Sequence, residues 1–248
     1  IMKLNVGLIG KGKWGKKIKV KLNNLAYLKF VNGKKSNYLK SIKKKQIDWI
    51  FIATPNHTHY KIVKDCIKNK LNVFCEKPLS ESPIEVKKLI NLAKKNKVKL
   101  FISDLYDFYT KKINIIKNEN FIYRSKFVKK SDKEFFYRFM YHDISILYNV
   151  LKKNKLLKCF LEKNNKKKMF RISILLKNKK SLVFSYNLAD VKKKHFINNL
   201  QIKSKKDELS YMIKKVLNNG VDFKYNNNKG LFIVETIKKI KRSLKYVV

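Results

Sequence analysis

Near the N-terminus, Gly10-Lys11-Gly12-Lys13-Trp14-Gly15 spells G-x-G-x-x-G. In that pattern Gly10 permits a tight turn, Gly12 lets backbone approach a pyrophosphate, and Gly15 lets a helix pack on a strand. A helix opening at Lys13 and Trp14 offers unpaired N–H groups and a partial positive charge to phosphates. The loop follows an apolar run, Lys3 to Gly10, and precedes a helical pattern through Leu25, the context that marks dinucleotide binding rather than a bare turn. An acidic residue about 20 positions on would hold the ribose hydroxyls of NAD. Here the text is Phe30-Val31-Asn32-Gly33-Lys34-Lys35-Ser36, with no carboxylate. Asn32 falls at the cofactor site, and Lys34, Lys35 and Ser36 suit a 2′-phosphate better than a ribose diol, which favours NADP within the NAD(P) pair. Lysine is so abundant in this chain that Lys34 and Lys35 are also expected from composition alone.

Three more segments carry reactive side chains: Ile52-Ala53-Thr54-Pro55-Asn56-His57-Thr58-His59, then Asn72-Val73-Phe74-Cys75-Glu76-Lys77-Pro78-Leu79, and later His142-Asp143-Ile144. Lys77 stands between Glu76 and Pro78 at the C-terminal end of an expected strand, where α/β sheets bind their ligands. The Lys77–Pro78 bond is a candidate for a cis peptide, which X–Pro bonds tolerate in tight turns. His142 fits a core histidine as well as a functional one, and His57 and His59 fit the start of a helix after Pro55. No other ligand lies at metal spacing from these imidazoles, so no metal site is expected. Asp104, Tyr106 and Tyr109 follow a strand end, where they fit contacts to a sugar and the start of an interdomain crossover equally well. Cys66, Cys75 and Cys159 are scattered without C-x-x-C spacing, as reduced buried thiols would be.

The elements that must position these residues alternate. Strands are expected at residues 3–10, 28–31, 48–54, 72–75 and 98–103, with helices between them, the third running through about Lys70. Ser82-Pro83-Ile84-Glu85 reads as a helix start, with Ser82 as cap and Glu85 closing a capping box. Behind it Val86, Leu89, Ile90 and Ala93 form one apolar face. This alternation predicts an α/β fold with an N-terminal Rossmann-type parallel sheet. Beyond about Tyr109 a helix over 135–151 precedes strand-like runs near 156–161, 169–176, 182–187 and 196–202. These predict a C-terminal α+β domain with an open, mostly antiparallel sheet. Two helices close the chain, the first ending at Gly220. The expected domains are residues 1–108 and 109–248.

Together these segments resemble the glucose-fructose oxidoreductase, inositol dehydrogenase and MocA-like (Gfo/Idh/MocA) oxidoreductases. The stretch from Gly230 to Ile240 also resembles that family's last helix. The resemblance implies hydride transfer between a nicotinamide cofactor, NAD(P), and a hydroxyl-bearing carbon of a sugar, sugar nucleotide or cyclitol. It places Lys77 beside the nicotinamide and the reacting hydroxyl, where a Lys near a cationic ring loses its proton more readily. It makes His142 the proton acceptor or substrate ligand, and Glu76 the residue that orients Lys77. Thr54, Pro55, Asn56 and His59 then fall on the cofactor site, and the C-terminal sheet is the implied surface for a homo-oligomer. Arg138 stands four residues before His142, where family members often carry Asp. Only 16 residues, Gly33 to Asp48, separate the second strand from the next strong one, so a strand–helix unit is missing. Such trimming also fits a relative that binds dinucleotide without turnover.

Composition limits the remaining classes. The 248 residues carry 61 Lys+Arg against 17 Asp+Glu, a formal net charge of +44, and 44% are hydrophobic, enough for one or two cores. Of the basic residues 57 are Lys and only 4 are Arg, while Ile and Asn each occur 26 times. Lys, Asn and Ile share AT-rich codons, which accounts for most of the charge. The scarcity of Arg, the side chain suited to bidentate phosphate and guanine contacts, argues against specific nucleic-acid recognition. No apolar run approaches the length of a membrane-spanning helix. The N-terminus runs straight into a strand, without a signal peptide, and a cytoplasmic protein is expected.

Overall fold

The computed structural model of the chain describes residues 3–44, 46–109, 119–126, 136–164, 166–203 and 207–246. It divides into two compact units, Ile1–Phe108 with Lys206–Glu235, and Tyr109–Lys205 with Thr236–Val248. The first unit opens with β1 (Asn5–Ile9), α1 (Lys13–Leu25), β2 (Tyr27–Asn32), α2 (Tyr38–Lys44) and β3 (Trp49–Ile52). It continues with α3 (Asn56–Lys68), β4 (Asn72–Glu76), α4 (Pro83–Lys95), β5 (Leu100–Ser103) and the short α5 (Tyr106–Tyr109). The five strands are ordered β2-β1-β3-β4-β5, and all their pairings are parallel. Every residue of β3 and β5 is buried, as expected for strands covered on both faces. Strand order reverses between β1 and β3, so the crevice outside their C-terminal ends is the topological switch point.

The expected capping box at α4 forms differently. The Ser82 side chain makes no cap hydrogen bond. Instead the Ser80 hydroxyl donates to the Glu85 carboxylate at 2.5 Å and accepts the Ser82 N–H at 3.0 Å. Pro83 starts the helix as expected. The hydroxyl two residues upstream takes over because it is buried within reach of both partners.

The second unit contains β6 (Glu119–Ser125), a π-helical turn (Phe136–Met140), α6 (Tyr141–Ile146), α7 (Tyr148–Lys153) and β7 (Leu156–Asn164). After these come β8 (Met169–Leu176), β9 (Ser181–Asn187), β10 (Lys194–Ile197) and β11 (Leu200–Gln201). The single helix expected over 135–151 is thus three short pieces, and its expected first residue lies outside the described ones. The chain ends with α8 (Glu208–Leu217), α9 (Phe223–Ser243) and β12 (Leu244–Tyr246). The second sheet has seven strands in the order β11-β10-β6-β9-β8-β7-β12. Only β6–β9 and β7–β12 pair in parallel, so it is mostly antiparallel. Alternation along β8 and β9 puts Phe170, Ile172, Ile174, Leu182, Phe184 and Tyr186 on the buried face. Phe121, Met169 and Leu175 remain exposed on the other.

A second domain running unbroken from 109 to 248 is not what the packing gives. Met212, Ile213, Val216 and Leu217 of α8 share one core with Val6, Leu8, Ile18 and Leu22, and Lys21 pairs with Asp207 at 2.6 Å. The first half of α9 also serves the first unit. Asn226 accepts the Ile102 N–H at 2.8 Å and donates to the Ile102 carbonyl at 2.9 Å. The side-chain amide thereby closes the outer edge of β5 as a neighbouring strand would. Lys229, three residues on, ion-pairs with Asp107 and lies 3.6 Å from Asp104.

Candidate functional site

The glycine loop connects β1 to α1 as its spacing predicts. Gly10 has φ +124°, a conformation side chains rarely adopt, and a Cβ there would fall 2.2 Å from the Ala53 carbonyl oxygen. A Cβ on Gly15 would meet the Gly10 carbonyl oxygen at 2.1 Å, whereas one on Gly12 would have nothing within 4 Å. Packing therefore requires glycine at positions 10 and 15, whereas at position 12 it leaves room for a side chain. A cavity of about 790 Å³ lies against this loop at the switch point. Gly10, Gly12, Lys13 and Trp14 line it from one side, Lys34 from the β2 end, and Thr54 and Pro55 from the β3 end. The size and lining suit a dinucleotide.

Other expected residues stand differently. Asn32 ends β2 buried, donating from its side-chain amide to the Ser41 hydroxyl at 2.9 Å, and its carbonyl accepts the Gly10 N–H at 2.8 Å. Its side chain is thus committed to α2. Asn56 opens α3 half-buried. His59 has no exposed surface: Nδ1 lies 2.7 Å from the Pro78 carbonyl oxygen and Nε2 lies 2.9 Å from that of Thr54. It ties the segment after β3 to the segment after β4. Burial lowers its pKa against the pull of those two carbonyls. The wall also holds Ser36, which the sequence offered for a 2′-phosphate, and Lys11, Tyr38 and Ile62, which the sequence reading did not assign. Tyr38 donates to Asp65 of α3 at 2.7 Å, a partner 27 positions away that no local pattern signals.

Lys77 follows β4 half-buried, and its bond to Pro78 is cis as expected. Beside it, Glu76 Oε1 and the Trp14 indole nitrogen are both sealed from water. Burial pushes the Glu76 carboxyl up to about 7, against the opposing pull of Trp14, Ser103 and Lys77. Since an unfolded Glu releases its proton near 4.5, the native state binds more protons between those values, and stability falls as pH rises through that window. Asp107, pushed up to about 6 by burial and Asp104, acts in the same sense. Replacing Glu76 with Gln is expected to flatten this decline, as read from urea midpoints between about pH 5 and pH 7. An unchanged slope would remove Glu76 from the account.

In the second unit His142 sits half-buried on α6, with its ring 6.1 Å from that of Tyr141 and nearly perpendicular to it. Arg138 lies in the π-helical turn before it, its guanidinium over the Phe139 ring. Asp104, one of the further ligand contacts considered, is buried and accepts the Tyr106 N–H at 3.3 Å. Among the described residues no group of three His, Cys, Asp or Glu could hold a metal ion, and no helix is long and apolar enough to cross a membrane.

A five-stranded parallel sheet with a glycine loop and a cavity at its switch point defines a nucleotide-binding fold of the Rossmann class. The family model for the oxidoreductase family with an NAD-binding Rossmann fold, GFO_IDH_MocA, matches residues 20–103. Over that segment the chain is similar to the Gfo/Idh/MocA oxidoreductases. It is 42% identical over 55 residues to an uncharacterized oxidoreductase, YgjR, of Escherichia coli, covering 22% of this chain and 17% of that protein. It is 38% identical over 60 residues to myo-inositol 2-dehydrogenase of Thermotoga maritima, covering 24% and 18%. These matches thus span under a fifth of either relative's length. UDP-N-acetylglucosamine 3-dehydrogenase GnnA from Acidithiobacillus ferrooxidans superposes with TM-score 0.81 at 15% identity, over 98% of both chains. GenD2 from gentamicin A biosynthesis, solved in complex with NAD, gives 0.76 at 12% identity over 98% of this chain and 94% of its own. At such identities the likeness is one of fold.

Proposed function

We propose that this protein is an NAD(P)-dependent oxidoreductase that moves a hydride between a nicotinamide and a hydroxyl-bearing carbon of a sugar, sugar nucleotide or cyclitol. The observation that carries this reading is the cavity at the switch point, bounded by Gly10, Gly12, Lys13 and Trp14 and by Thr54 and Pro55. The residues present fit such a cofactor. Gly12 leaves open space where a Cβ would stand, and the N–H groups at the N-terminus of α1 would hold the phosphates. When bound, the nicotinamide supplies the acceptor or donor of the hydride. Lys77 then stabilises negative charge developing on the substrate oxygen, while His142 accepts the hydroxyl proton. Glu76 orients Lys77, and His59 holds the backbone on either side of that work.

The preferred cofactor in this reading is NADP. Lys34, Ser36 and Lys11 line the β2 end of the cavity, and the one polar side chain ending β2, Asn32, is turned toward Ser41. Cations and a hydroxyl without a carboxylate favour a 2′-phosphate over a bare ribose diol. Titration with NADPH and with NADH, read by energy transfer from Trp14 to the reduced nicotinamide, tests both points at once. Salt high enough to suppress adhesion of polyanions is needed, with inorganic pyrophosphate as the control. Saturable binding is expected, at least about tenfold tighter for NADPH. Equal affinities would remove the NADP assignment, and no binding beyond the control would remove the catalytic one.

A further inference from the structure

His195, Arg124 and Tyr186 lie on three adjacent strands, β10, β6 and β9. Register pairs His195 with Arg124 and Arg124 with Tyr186, so the three form one row on the buried face of the second sheet. All three meet a single carboxylate on α6. Arg124 Nη2 donates to Asp143 Oδ1 at 2.5 Å, His195 Nε2 lies 2.9 Å from the same oxygen, and the Tyr186 hydroxyl donates to Oδ2 at 2.9 Å. Asp143 has no exposed side chain, and those of Arg124 and His195 are 8% and 3% exposed. We propose that Asp143 and this row are positioning residues for His142: by gripping α6 from three strands they hold the neighbouring imidazole in one place.

The chemistry favours positioning over mere adhesion. Desolvating a carboxylate and a guanidinium is costly, and an apolar side chain at position 143 would fasten the helix to an apolar sheet at least as well. What apolar contact does not supply is direction. Three donors converging on two oxygens fix both the rotation of α6 and its advance along its axis. That constraint matters because α6 has six residues and follows a π-helical turn, too short to set its own orientation. A turn of the helix by one residue, about 100°, would bring position 142 to the sheet row and carry Asp143 off it. With Asp143 held, the half-buried His142 keeps its place about 100° round the helix from the carboxylate. The importance of this arrangement to turnover rests on the hydride-transfer reading of His142.

The test combines Tyr186→Phe, which removes one hydrogen bond with little change in volume and none in charge, with Asp143→Asn. The chain has four histidines, so the imidazole Cε1–H signals can be followed by NMR, that of His142 being assigned by its loss in His142→Gln. In Tyr186→Phe the His142 signal is expected to shift or broaden while those of His57 and His59 stay in place. NADPH affinity should hold, and kcat should fall about tenfold with KM within about twofold. Asp143→Asn, where it folds, should show the same changes enlarged. A Tyr186→Phe protein that melts earlier but keeps its His142 signal and kcat would overturn the proposal, since a structural bond alone gives that outcome. If the wild type transfers no hydride to any sugar, nucleotide sugar or cyclitol and the His142 signal still moves, the oxidoreductase reading fails and the positioning of His142 stands. An unmoved His142 signal in both variants overturns the positioning whatever the activity.

Discussion

Lys77→Met is expected to lower kcat by about a thousandfold or more while leaving the NADPH dissociation constant within about threefold. The separation follows from where the two tasks are carried out. Phosphates are expected at the glycine loop and the N-terminus of α1, whereas Lys77 follows β4, which β3 separates from β1 in the sheet. Removing its ammonium takes away the cation opposed to developing negative charge on the substrate oxygen, an interaction present only as the hydride moves. Methionine keeps the length of the side chain and spares the packing around Glu76. Turnover is read from nicotinamide absorbance against a panel of sugars, sugar nucleotides and cyclitols, and binding from tryptophan energy transfer. A variant with wild-type turnover would remove Lys77 from the chemistry, and a wild type with binding but no turnover would identify a dinucleotide-binding relative without catalysis.

A contrast within the glycine loop should be as large. Gly15→Ala places a methyl group 2.1 Å from the Gly10 carbonyl oxygen, a backbone atom that cannot swing aside. The first turn of α1 must then lift from β1, at an expected cost of about 3 kcal/mol or more. Gly12→Ala adds the same methyl group where nothing lies within 4 Å, so its melting temperature should match that of the wild type. Its methyl group nevertheless enters the space a pyrophosphate would fill, and NADPH binding should weaken at least about tenfold. Thermal melting and the same titration distinguish the two. Unimpaired binding in a folded Gly12→Ala protein would place the phosphates elsewhere.

The glycine loop, the alternation of strands and helices and the cis Lys77–Pro78 bond were legible because each is written over a few consecutive residues. β6 was not. Its Glu119–Ser125 text mixes charged, apolar and polar residues, and Arg124 is buried only because Asp143 neutralises it from 19 positions away. The grip on Asp143 depends on the pairing of β10, β6 and β9, which no local spacing encodes. His59 shows the intermediate case: its place in the motif could be read, but its role is fixed by two backbone carbonyls, one of them 19 residues distant. The Ser82 cap failed for a similar reason, since a buried hydroxyl two residues upstream outcompeted a side chain of the expected type. Local pattern located the cavity beside the glycine loop, and long-range pairing decided which side chains are committed elsewhere.

Met212, Ile213, Val216 and Leu217 complete a core begun by Val6 and Leu8, and Asn226 seals β5. A chain made only as far as residue 108 therefore holds every strand of the parallel sheet but lacks α8, which completes its core. Apolar surface on that nascent sheet stays uncovered until about a hundred more residues have been synthesised, an interval of many seconds at ordinary elongation rates. During that time the emerging chain presents the surface that folding chaperones bind, while its unusual excess of lysine keeps neighbouring nascent chains apart.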